Sequence, residues 1–383
     1  MAPSIAPRAD IPPFHVMEVI RRAGELERAG RSILHLEVGQ PSTPAPAGAL
    51  AAATAAMRRD PLGYTDALGI PDLRAGIAGH YAATYGHDVD PARVIVTTGA
   101  SGGFTLAFLA CFSPGDRVLV AAPGYPCYRN VLLALGVEVV EALVGPETRF
   151  QPTPELVEAH LPLDGLIVAS PSNPAGTMLD ADELGRLVAW CDAQGVRLVS
   201  DEIYHGLTYG TSVATAAALS DDAVVVNSFS KYWSMTGWRI GWVLAPADLV
   251  RPIERLGQNL VINAPTISQH AALAALDCGD ECERNVVRYA ANRSVLLDRL
   301  PAMGLDRLAP ADGAFYVYAD VGDLGVAATE LCRIWLDELG VATTPGIDFD
   351  PSRGERFVRF SFAGATDDMH AACDLLAAWI ERR

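Results

Sequence analysis

NSFSKYWSMTGWRIG, residues 227–241, is the stretch of this chain that decides the fold, and it directly follows a run of four apolar residues. Lys231 comes just after two serines, Ser228 and Ser230, and Arg239 stands eight residues further on. The apolar run predicts a buried strand, so we expect the hydroxyls and both cations at the end of that strand. Hydroxyls and a guanidinium suit a bound anion, and the lysine amine adds a group capable of covalent chemistry.

An isolated lysine in a polar loop is usually solvated and has no further role. Here the arrangement meets a more specific requirement, because serines and an arginine can hold a phosphate while the neighbouring lysine forms a Schiff base. Those are the groups that a pyridoxal 5′-phosphate (PLP) site needs. Three further motifs favour this interpretation over a solvated loop.

The bulk properties of the chain are those of a globular protein with two domains. Its 383 residues are too many for one simple core. The composition is ordinary for a globular protein, since 50% of the residues are hydrophobic and 20% are charged. The net charge of −17 argues against nucleic acid and anionic membranes as partners. No apolar run approaches the roughly 18 residues of a membrane helix, and residues 1–10 lack a signal-peptide pattern.

The seven cysteines are scattered along the chain, and none stands in a CxxC pair. Cys278 and Cys282 are one helical turn apart, yet no histidine or second cysteine pair accompanies them at the spacing of a zinc site. We therefore expect no metal site, and we interpret all seven as reduced thiols of a cytoplasmic protein.

Strand and helix patterns alternate through the first two thirds of the chain, with helices predicted at residues 104–112, after 126 and at 180–194. Short apolar runs bounded by turn residues predict strands at residues 93–98, 117–122, 137–142, 164–170, 196–201, 223–229 and 240–244. This alternation indicates an α/β fold, with a mostly parallel sheet covered by helices on both faces. Ligands of such sheets bind beyond the carboxyl ends of the strands.

The rest of the chain has a looser order of elements, which predicts a smaller α+β domain built from the N- and C-terminal segments. The predicted elements are helices at residues 16–29, 285–300 and from 366 onwards, and strands at 312–319 and 357–362. We expect an N-terminal segment that joins the small domain, a large domain and the small domain itself, at residues 1–44, 45–280 and 281–383.

Two polar motifs follow predicted strands and precede predicted helices. Gly99–Gly103 offers free backbone N–H groups and a helix dipole to a phosphate, although a glycine-rich turn alone is weak support. It is neither a GxGxxG motif nor a P-loop, so a dinucleotide or a nucleoside triphosphate is a poor alternative. Asn173, within Ser170–Thr177, is held extended before a proline and projects its amide, although such an asparagine often only forms a turn.

Asp201 ends another predicted strand and is followed by Glu202 and, two residues later, by Tyr204. A carboxylate at the end of a buried strand is costly without a partner, and a pyridinium nitrogen would be one. The alternative is a surface Asp-Glu pair that caps the strand. Tyr204 could reach the phenolate oxygen of the same ring, and Tyr125, after yet another strand, could stack on its face or simply pack in a turn.

Together these motifs resemble the fold type I PLP enzymes, specifically the class I/II aminotransferases of the aspartate aminotransferase-like superfamily. The resemblance extends from about Gly39 to Phe362 and implies a large PLP-binding domain with a seven-stranded sheet. Its most specific parts are Ser-Asn-Pro-Ala-Gly-Thr, Asp-Glu-Ile-Tyr and Ser-Phe-Ser-Lys followed by Gly-Trp-Arg-Ile-Gly. Their spacing also matches, with 28 residues from Asn173 to Asp201 and 30 more to Lys231.

The resemblance implies that Lys231, Asp201 and Tyr204 are the catalytic residues. Lys231 would hold PLP as a Schiff base and move the proton at the substrate Cα, while Asp201 would keep the pyridinium nitrogen protonated. Tyr204 and Asn173 would bind the ring oxygen, and Tyr125 would stack on the ring. The phosphate would be held by a group of small residues and one arginine, namely Ala100, Ser101, Ser228, Ser230 and Arg239.

The resemblance also implies a substrate site and a partner subunit. Arg359 would clamp the α-carboxylate of the substrate, together with Asn173, and Gly39 lies in the segment that would close over that carboxylate. Tyr64 matches a tyrosine that reaches the phosphate of the neighbouring subunit, which implies a homodimer with shared active sites.

The implied function is transfer of an amino group from an L-amino acid to a 2-oxo acid, by a ping-pong mechanism through aldimine and pyridoxamine forms of PLP. Some aspartate-using relatives carry a lysine where Ser101 stands, so we expect a neutral or apolar donor. Glutamate stays an alternative, since arginines of either chain, such as Arg21 or Arg22, could turn inward. A PLP-dependent C–S β-lyase of the same fold is the alternative. A non-enzymatic regulator with a degenerate aminotransferase domain is disfavoured, because the chain is acidic and keeps Lys231.

Four residues near these motifs have less specific interpretations. We expect His205 to be structural and Trp233 and Trp238 to belong to the core or to an interface. Asn263 is expected to approach the substrate from the partner chain.

Overall fold

The structure is a computed structural model that describes residues 5–382. Its α-helices are α1 (His15–Arg28), α2 (Ala47–Arg59), α3 (Pro71–Tyr85), α4 (Gly99–Cys111), α5 (Pro126–Leu135), α6 (Pro154–Glu158), α7 (Ala181–Gln194), α8 (Ala247–Leu260), α9 (Thr266–Ala275), α10 (Gly279–Ala302), α11 (Ala328–Ile334) and α12 (Thr366–Ile380). Its strands are β1 (Leu34–His35), β2 (Val94–Thr97), β3 (Arg117–Ala122), β4 (Glu138–Leu143), β5 (Gly165–Ala169), β6 (Arg197–Asp201), β7 (Val224–Ser228), β8 (Gly241–Leu244), β9 (Tyr316–Asp320), β10 (Val341–Ala342), β11 (Thr344–Pro345) and β12 (Phe357–Ser361).

The main sheet has seven strands in the order β2-β8-β7-β6-β5-β3-β4. Only β8 is antiparallel to its neighbours, β2 and β7, so the sheet is mostly parallel, and the predicted α/β fold is confirmed. β5 and the first three residues of β7 are apolar, and nearly all residues of both strands are buried, as expected for parallel strands with helices above and below.

Successive residues of a strand point to opposite faces of the sheet, which divides the core into two layers. In β7, Val225 packs into the cluster that includes residues of α3, α7 and α9. Its neighbours Val224 and Val226 pack into the other cluster, with residues of α4, α5 and α8. The sheet thus has helices on both faces, and its carboxyl edge is left for a ligand.

A smaller group of elements joins the two ends of the chain. β11, β12 and β9 form an antiparallel sheet, and β1 pairs in parallel with β10, so that Leu34 lies opposite Val341. Leu36 and residues of β9, β12, α10 and α12 share one hydrophobic cluster. The N-terminal segment therefore packs with the C-terminal elements. The domain bounds of 1–44, 45–280 and 281–383 stay a prediction, and residues 1–4 and 383 lie outside the described residues.

Several element bounds differ from those that the sequence predicts. α4 begins at Gly99 rather than at Phe104, so the glycine-rich motif is the first turn of the helix. α10 begins at Gly279, six residues before the predicted start. α2, α3, α8 and α9 were not predicted. Within residues 5–382, every helix is too short or too polar to cross a membrane.

Candidate active site

A cavity of about 180 Å³ opens beside the carboxyl ends of β5, β6 and β7. Most of the residues that the sequence predicts for the site line it, namely Gly39, Ala100, Ser101, Tyr125, Asn173, Asp201, Tyr204, Ser230, Lys231, Arg239 and Arg359. Chain order separates these residues widely, and the parallel sheet brings them together because its strands end at one edge.

Lys231 follows β7 and is the only lysine of the chain. Its Nζ donates a hydrogen bond to the carbonyl oxygen of Gly39 at 2.6 Å. Burial, and next the positive charge of Arg359, lower the pKa of Lys231 to about 8, although Asp201 acts in the opposite direction. A lysine with such a pKa has a substantial fraction of neutral, nucleophilic amine near neutral pH.

Asp201, the last residue of β6, is 3% exposed. Its carboxylate accepts hydrogen bonds from the Tyr128 hydroxyl and, at 3.0 Å, from the backbone N–H of Ile203. Burial raises the pKa of Asp201 to about 6, and these hydrogen bonds oppose the shift. The positive charge of Lys231 also lowers the pKa of this carboxylate. A buried carboxylate on the cavity wall that forms no ion pair within residues 5–382 fits the protonated ring nitrogen of PLP.

The start of α4 has the features of a phosphate site. No side chain caps its N-terminus and its first turn holds no acidic residue, so the first backbone N–H groups are free for an anion. Gly99 has φ +74°, and a Cβ there would lie 2.6 Å from the guanidinium of Arg239. Arg239 itself has φ +51° and donates to the Thr236 carbonyl at 3.0 Å. The bare backbone at Gly99 thus makes room for the arginine beside the helix terminus.

Ser230 lines the cavity, but Ser228 does not. The Ser228 side chain is fully buried, and its hydroxyl lies 2.7 Å from the Ser230 hydroxyl and 2.9 Å from the Ile240 carbonyl. It also accepts the backbone N–H of Ser230 at 3.0 Å. The hydroxyls of Ser228 and Ser230 thus lie side by side, and a contact between Ser228 and the phosphate stays a prediction.

Arg359 and Asn173 meet at the other end of the cavity. Arg359 is 2% exposed, and its Nη1 donates to the Oδ1 of Asn173 at 2.8 Å. Its Nη2 donates to the backbone carbonyl of Glu37, while its Nε has no partner among the described residues. A buried guanidinium with an unused donor is the group that recognises a carboxylate.

Tyr204 and Tyr125 line the cavity, and burial raises the pKa values of both. The hydroxyl of Tyr204 lies 2.7 Å from that of Tyr316. Tyr64, in contrast, is 84% exposed and does not line the cavity of its own chain.

Sequence reasoning missed several residues of the cavity. Tyr128 holds Asp201, and Tyr316 contacts both Tyr204 and Arg359. A wall of apolar side chains is also new, contributed mainly by α1 and its N-cap: Phe14, Val16, Met17, Ile20 and Val38. Of these residues, only Tyr128 could have been predicted from the sequence. It follows Tyr125 by three residues, a spacing that puts both side chains on one side of a helix.

The residues with less specific predictions lie outside the cavity wall. His205 is buried between the Tyr85 hydroxyl, 2.7 Å from Nδ1, and the Ser170 carbonyl, 3.0 Å from Nε2. Burial lowers the pKa of His205 to about 3, so the ring is neutral and structural. Trp233 and Trp238 pack in or against the main core, and Asn263 donates to the adjacent Ala264 carbonyl.

Arg21 and Arg22 do not turn inward in this chain. Arg21 pairs with Glu25, and Arg22 pairs with Asp337, with both arginine side chains largely in solvent. The cavity therefore has no cation from α1 to meet an acidic substrate side chain.

The family model described as "Aminotransferase class I and II" matches residues 31–376, and the chain belongs to that family. The protein is thus a PLP-dependent aminotransferase that moves an amino group from an amino acid to a 2-oxo acid. Known relatives extend over nearly the whole chain. A valine–pyruvate aminotransferase of Mycobacterium tuberculosis is 52% identical over 385 residues, 99% of each chain. An aspartate aminotransferase of Thermotoga maritima is 32% identical, over 98% of each chain.

Solved structures agree with this assignment. The crystal structure of an aminotransferase from Mycobacterium tuberculosis matches with a TM-score of 0.98 and 50% identity over 100% of both chains. A putative aminotransferase from Silicibacter pomeroyi matches with a TM-score of 0.94, also at 50% identity and full coverage. The fold and family expected from the sequence are confirmed.

Proposed function

We propose that this cavity is the active site and that Lys231 carries the cofactor and the reaction. The observation that carries the proposal is that the only lysine of the chain lies on the cavity wall with a lowered pKa. PLP, when bound, supplies an aldehyde for the amine and a ring that accepts the electrons released at the substrate Cα. The Nζ of Lys231 would hold the cofactor and, once the substrate amine has taken its place, would move the proton at Cα as a free amine.

The residues around Lys231 divide the remaining tasks. Asp201 holds the ring nitrogen in its protonated state, and Tyr128 fixes the orientation of that carboxylate. Ser230, Arg239 and the first turn of α4 bind the phosphate. Ser228, whose hydroxyl lies 2.7 Å from the Ser230 hydroxyl, belongs to the same group.

The substrate side of the cavity favours a neutral, apolar amino donor. Arg359 binds the α-carboxylate with its Nε donor, which has no partner within residues 5–382. The side chain of the donor then meets the apolar wall of Phe14, Met17 and Ile20, which offers no cation for an acidic group. The relative named a valine–pyruvate aminotransferase supports L-valine as a donor and pyruvate as an acceptor for this chain.

We further propose a homodimer in which Tyr64 serves the site of the partner. Tyr64 is 84% exposed, and the Thr266 hydroxyl donates to the adjacent Gly63 carbonyl at 2.7 Å, which holds its segment beside α9. Large apolar side chains are also exposed on α2, which precedes Tyr64 in the chain, and at the end of α8: Leu50, Met57, Leu260, Val261 and Ile262. Such side chains are typical of a surface that a partner covers.

The domain bounds and the compartment are also proposals. A large domain of residues 45–280 and a small one made of residues 1–44 and 281–383 are supported by the pairing of β1 with β10. A cytoplasmic location is supported by the seven cysteines, all of which are free thiols.

A single turnover tests the function. The PLP-loaded enzyme is mixed with L-valine without any acceptor, and we expect one 2-oxo acid per subunit and no further product until pyruvate is added. L-Aspartate should react on the order of 10-fold or more slowly, because the apolar wall cannot pair its carboxylate. Continuous release of pyruvate and a thiol from cystathionine, with no stoichiometric oxo acid from valine, would instead identify a C–S β-lyase.

A further inference from the structure

Tyr316 joins the two halves of the active site. It is the first residue of β9 and is 1% exposed, and it lines the cavity. Its hydroxyl lies 2.7 Å from the hydroxyl of Tyr204. The face of its ring lies 4.4 Å from the guanidinium carbon of Arg359. One side chain therefore contacts the proposed partner of the PLP ring oxygen and the proposed clamp of the substrate carboxylate.

The chain makes room for this hydroxyl at Gly39. A Cβ at position 39 would lie 1.7 Å from the Tyr316 hydroxyl oxygen, so any other residue would push Tyr316 away from Tyr204. The register of β9 with β12 also fixes the backbone of Tyr316. It sets Tyr316 opposite Ser361, which is two residues beyond Arg359. The position of the hydroxyl is thus fixed by the backbone on both sides.

The number of hydroxyl protons determines what Tyr316 can do. Tyr204 has a single hydroxyl proton, and if it donates that proton to the PLP ring oxygen, its own oxygen is left free to accept. The Tyr316 hydroxyl is the group within hydrogen-bond distance that can donate to it. Two such bonds in series strengthen each other in a buried site.

We propose that Tyr316 is a positioning residue with two separable effects. Its hydroxyl donates to Tyr204 and so strengthens the hydrogen bond that Tyr204 gives to the ring oxygen. Its ring supports the buried guanidinium of Arg359, on which the Phe349 ring also lies, at 4.8 Å. This proposal rests on the proposed function, since it needs PLP bound to Lys231 with its ring oxygen at Tyr204.

The two effects are separated by Tyr316→Phe, which removes the hydroxyl, and Tyr316→Leu, which also removes the ring. Tyr318→Phe is the matched control, because Tyr318 lies in the same strand and its buried hydroxyl has no partner among the described residues. The first measurement is the pH titration of the visible absorbance of the PLP-loaded enzyme. The second is the Kd of a non-reacting monocarboxylate, isovalerate.

Loss of the hydrogen bond from Tyr316 to Tyr204 should raise the midpoint of the titration. The PLP ring oxygen then receives a weaker hydrogen bond from Tyr204, so it attracts the proton on the lysine-linked nitrogen more strongly and raises the pKa of that nitrogen. We expect Tyr316→Phe to raise this midpoint by about one pH unit, the equivalent of one hydrogen bond to a charged group. Its Kd for isovalerate should change by less than about twofold, whereas Tyr316→Leu should weaken binding about tenfold. Tyr318→Phe should match the wild type in both.

An unchanged titration midpoint in Tyr316→Phe, with normal folding and normal PLP content, would overturn the proposal. So would an equal shift in Tyr318→Phe, which would indicate a general effect on the strand. A wild-type enzyme that shows no lysine-linked absorbance at all would contradict the proposed function itself, and the two failures are therefore distinct.

Discussion

The Nζ of Lys231 donates a hydrogen bond to the carbonyl oxygen of Gly39 across 2.6 Å, although the two residues are 192 positions apart in the chain. Gly39 belongs to the segment that carries Glu37, whose carbonyl accepts from Arg359. The amine proposed to bind PLP and the guanidinium proposed to bind the substrate are thus both held by the same short piece of backbone. Binding of PLP to Lys231 has to replace the contact to Gly39.

Uptake of PLP by the apoprotein should depend on pH through Lys231. Only the neutral amine attacks the aldehyde, and burial lowers the pKa of Lys231 to about 8. The rate of covalent uptake should therefore rise with pH up to about 8 and level off above it, as stopped-flow absorbance would measure. A rate that keeps rising to about pH 10, the range of an ordinary lysine, would contradict the lowered pKa.

Asp201→Asn should lower kcat by about 10²-fold or more, several kcal/mol of barrier, while PLP stays bound. An amide cannot keep the ring nitrogen protonated, so the ring accepts electrons less well. Steady-state kinetics and the PLP content check this. Asp180→Asn, at the N-cap of α7, is the control for the same chemical change. Activity of Asp201→Asn within about threefold of the wild type would mean that Asp201 is not the ring partner.

Asp348 holds the helix that forms the apolar wall. Its carboxylate is 2% exposed and accepts the backbone N–H groups of His15 at 2.7 Å and Val16 at 2.8 Å. α1 has no side-chain cap of its own, so this distant carboxylate replaces one. Burial raises the pKa of Asp348, and the two N–H groups oppose that shift.

Asp348→Asn should loosen α1 and reduce the preference for larger apolar donors. We expect kcat/KM for L-valine to fall about 3- to 10-fold, the loss of one hydrogen bond to a charged group, with L-alanine changed less than about twofold. Hydrogen exchange of residues 15–28 should rise in parallel. Equal losses of kcat/KM for L-valine and L-alanine would show that the apolar wall does not select the side chain of the amino donor. Asp180→Asn again serves as the control.

Mixing of two impaired variants tests whether the sites are shared. Lys231→Ala and Tyr64→Ala subunits are exchanged, and the exchange is confirmed by native mass spectrometry. If Tyr64 serves the site of the partner, a mixed dimer has one site with both lesions and one with neither, so it regains roughly half of the activity of one wild-type dimer. If Tyr64 serves its own chain, each mixed site carries one lesion and mixing restores nothing.

The parts of the site that the sequence reveals are those that follow predicted strands directly. Asn173 and Lys231 follow β5 and β7, Asp201 ends β6, and parallel strands bring their carboxyl ends to one edge whatever the details of packing. Ser228 shows the limit of this reasoning, because residues two apart at a strand end need not both reach the cavity.

What the sequence does not reveal depends on tertiary contacts between distant segments. The apolar wall exists because Asp348 caps α1 across more than 300 residues, and no local pattern indicates that pairing. Tyr316 reaches Tyr204 only through the register of β9 with β12 and the space at Gly39. α2 is missed for another reason, since it is rich in alanine and has little apolar periodicity to mark it as a helix.

Borohydride reduction of the PLP-loaded enzyme, followed by peptide mass mapping, tests the central claim most directly. Lys231 is the only lysine, so the α-amine of the polypeptide is the one competing primary amine and serves as an internal control. We predict one reduced PLP adduct per subunit on the peptide that contains Lys231, and none in Lys231→Ala. An adduct confined to the α-amine, or no adduct in protein that retains PLP, would contradict the account.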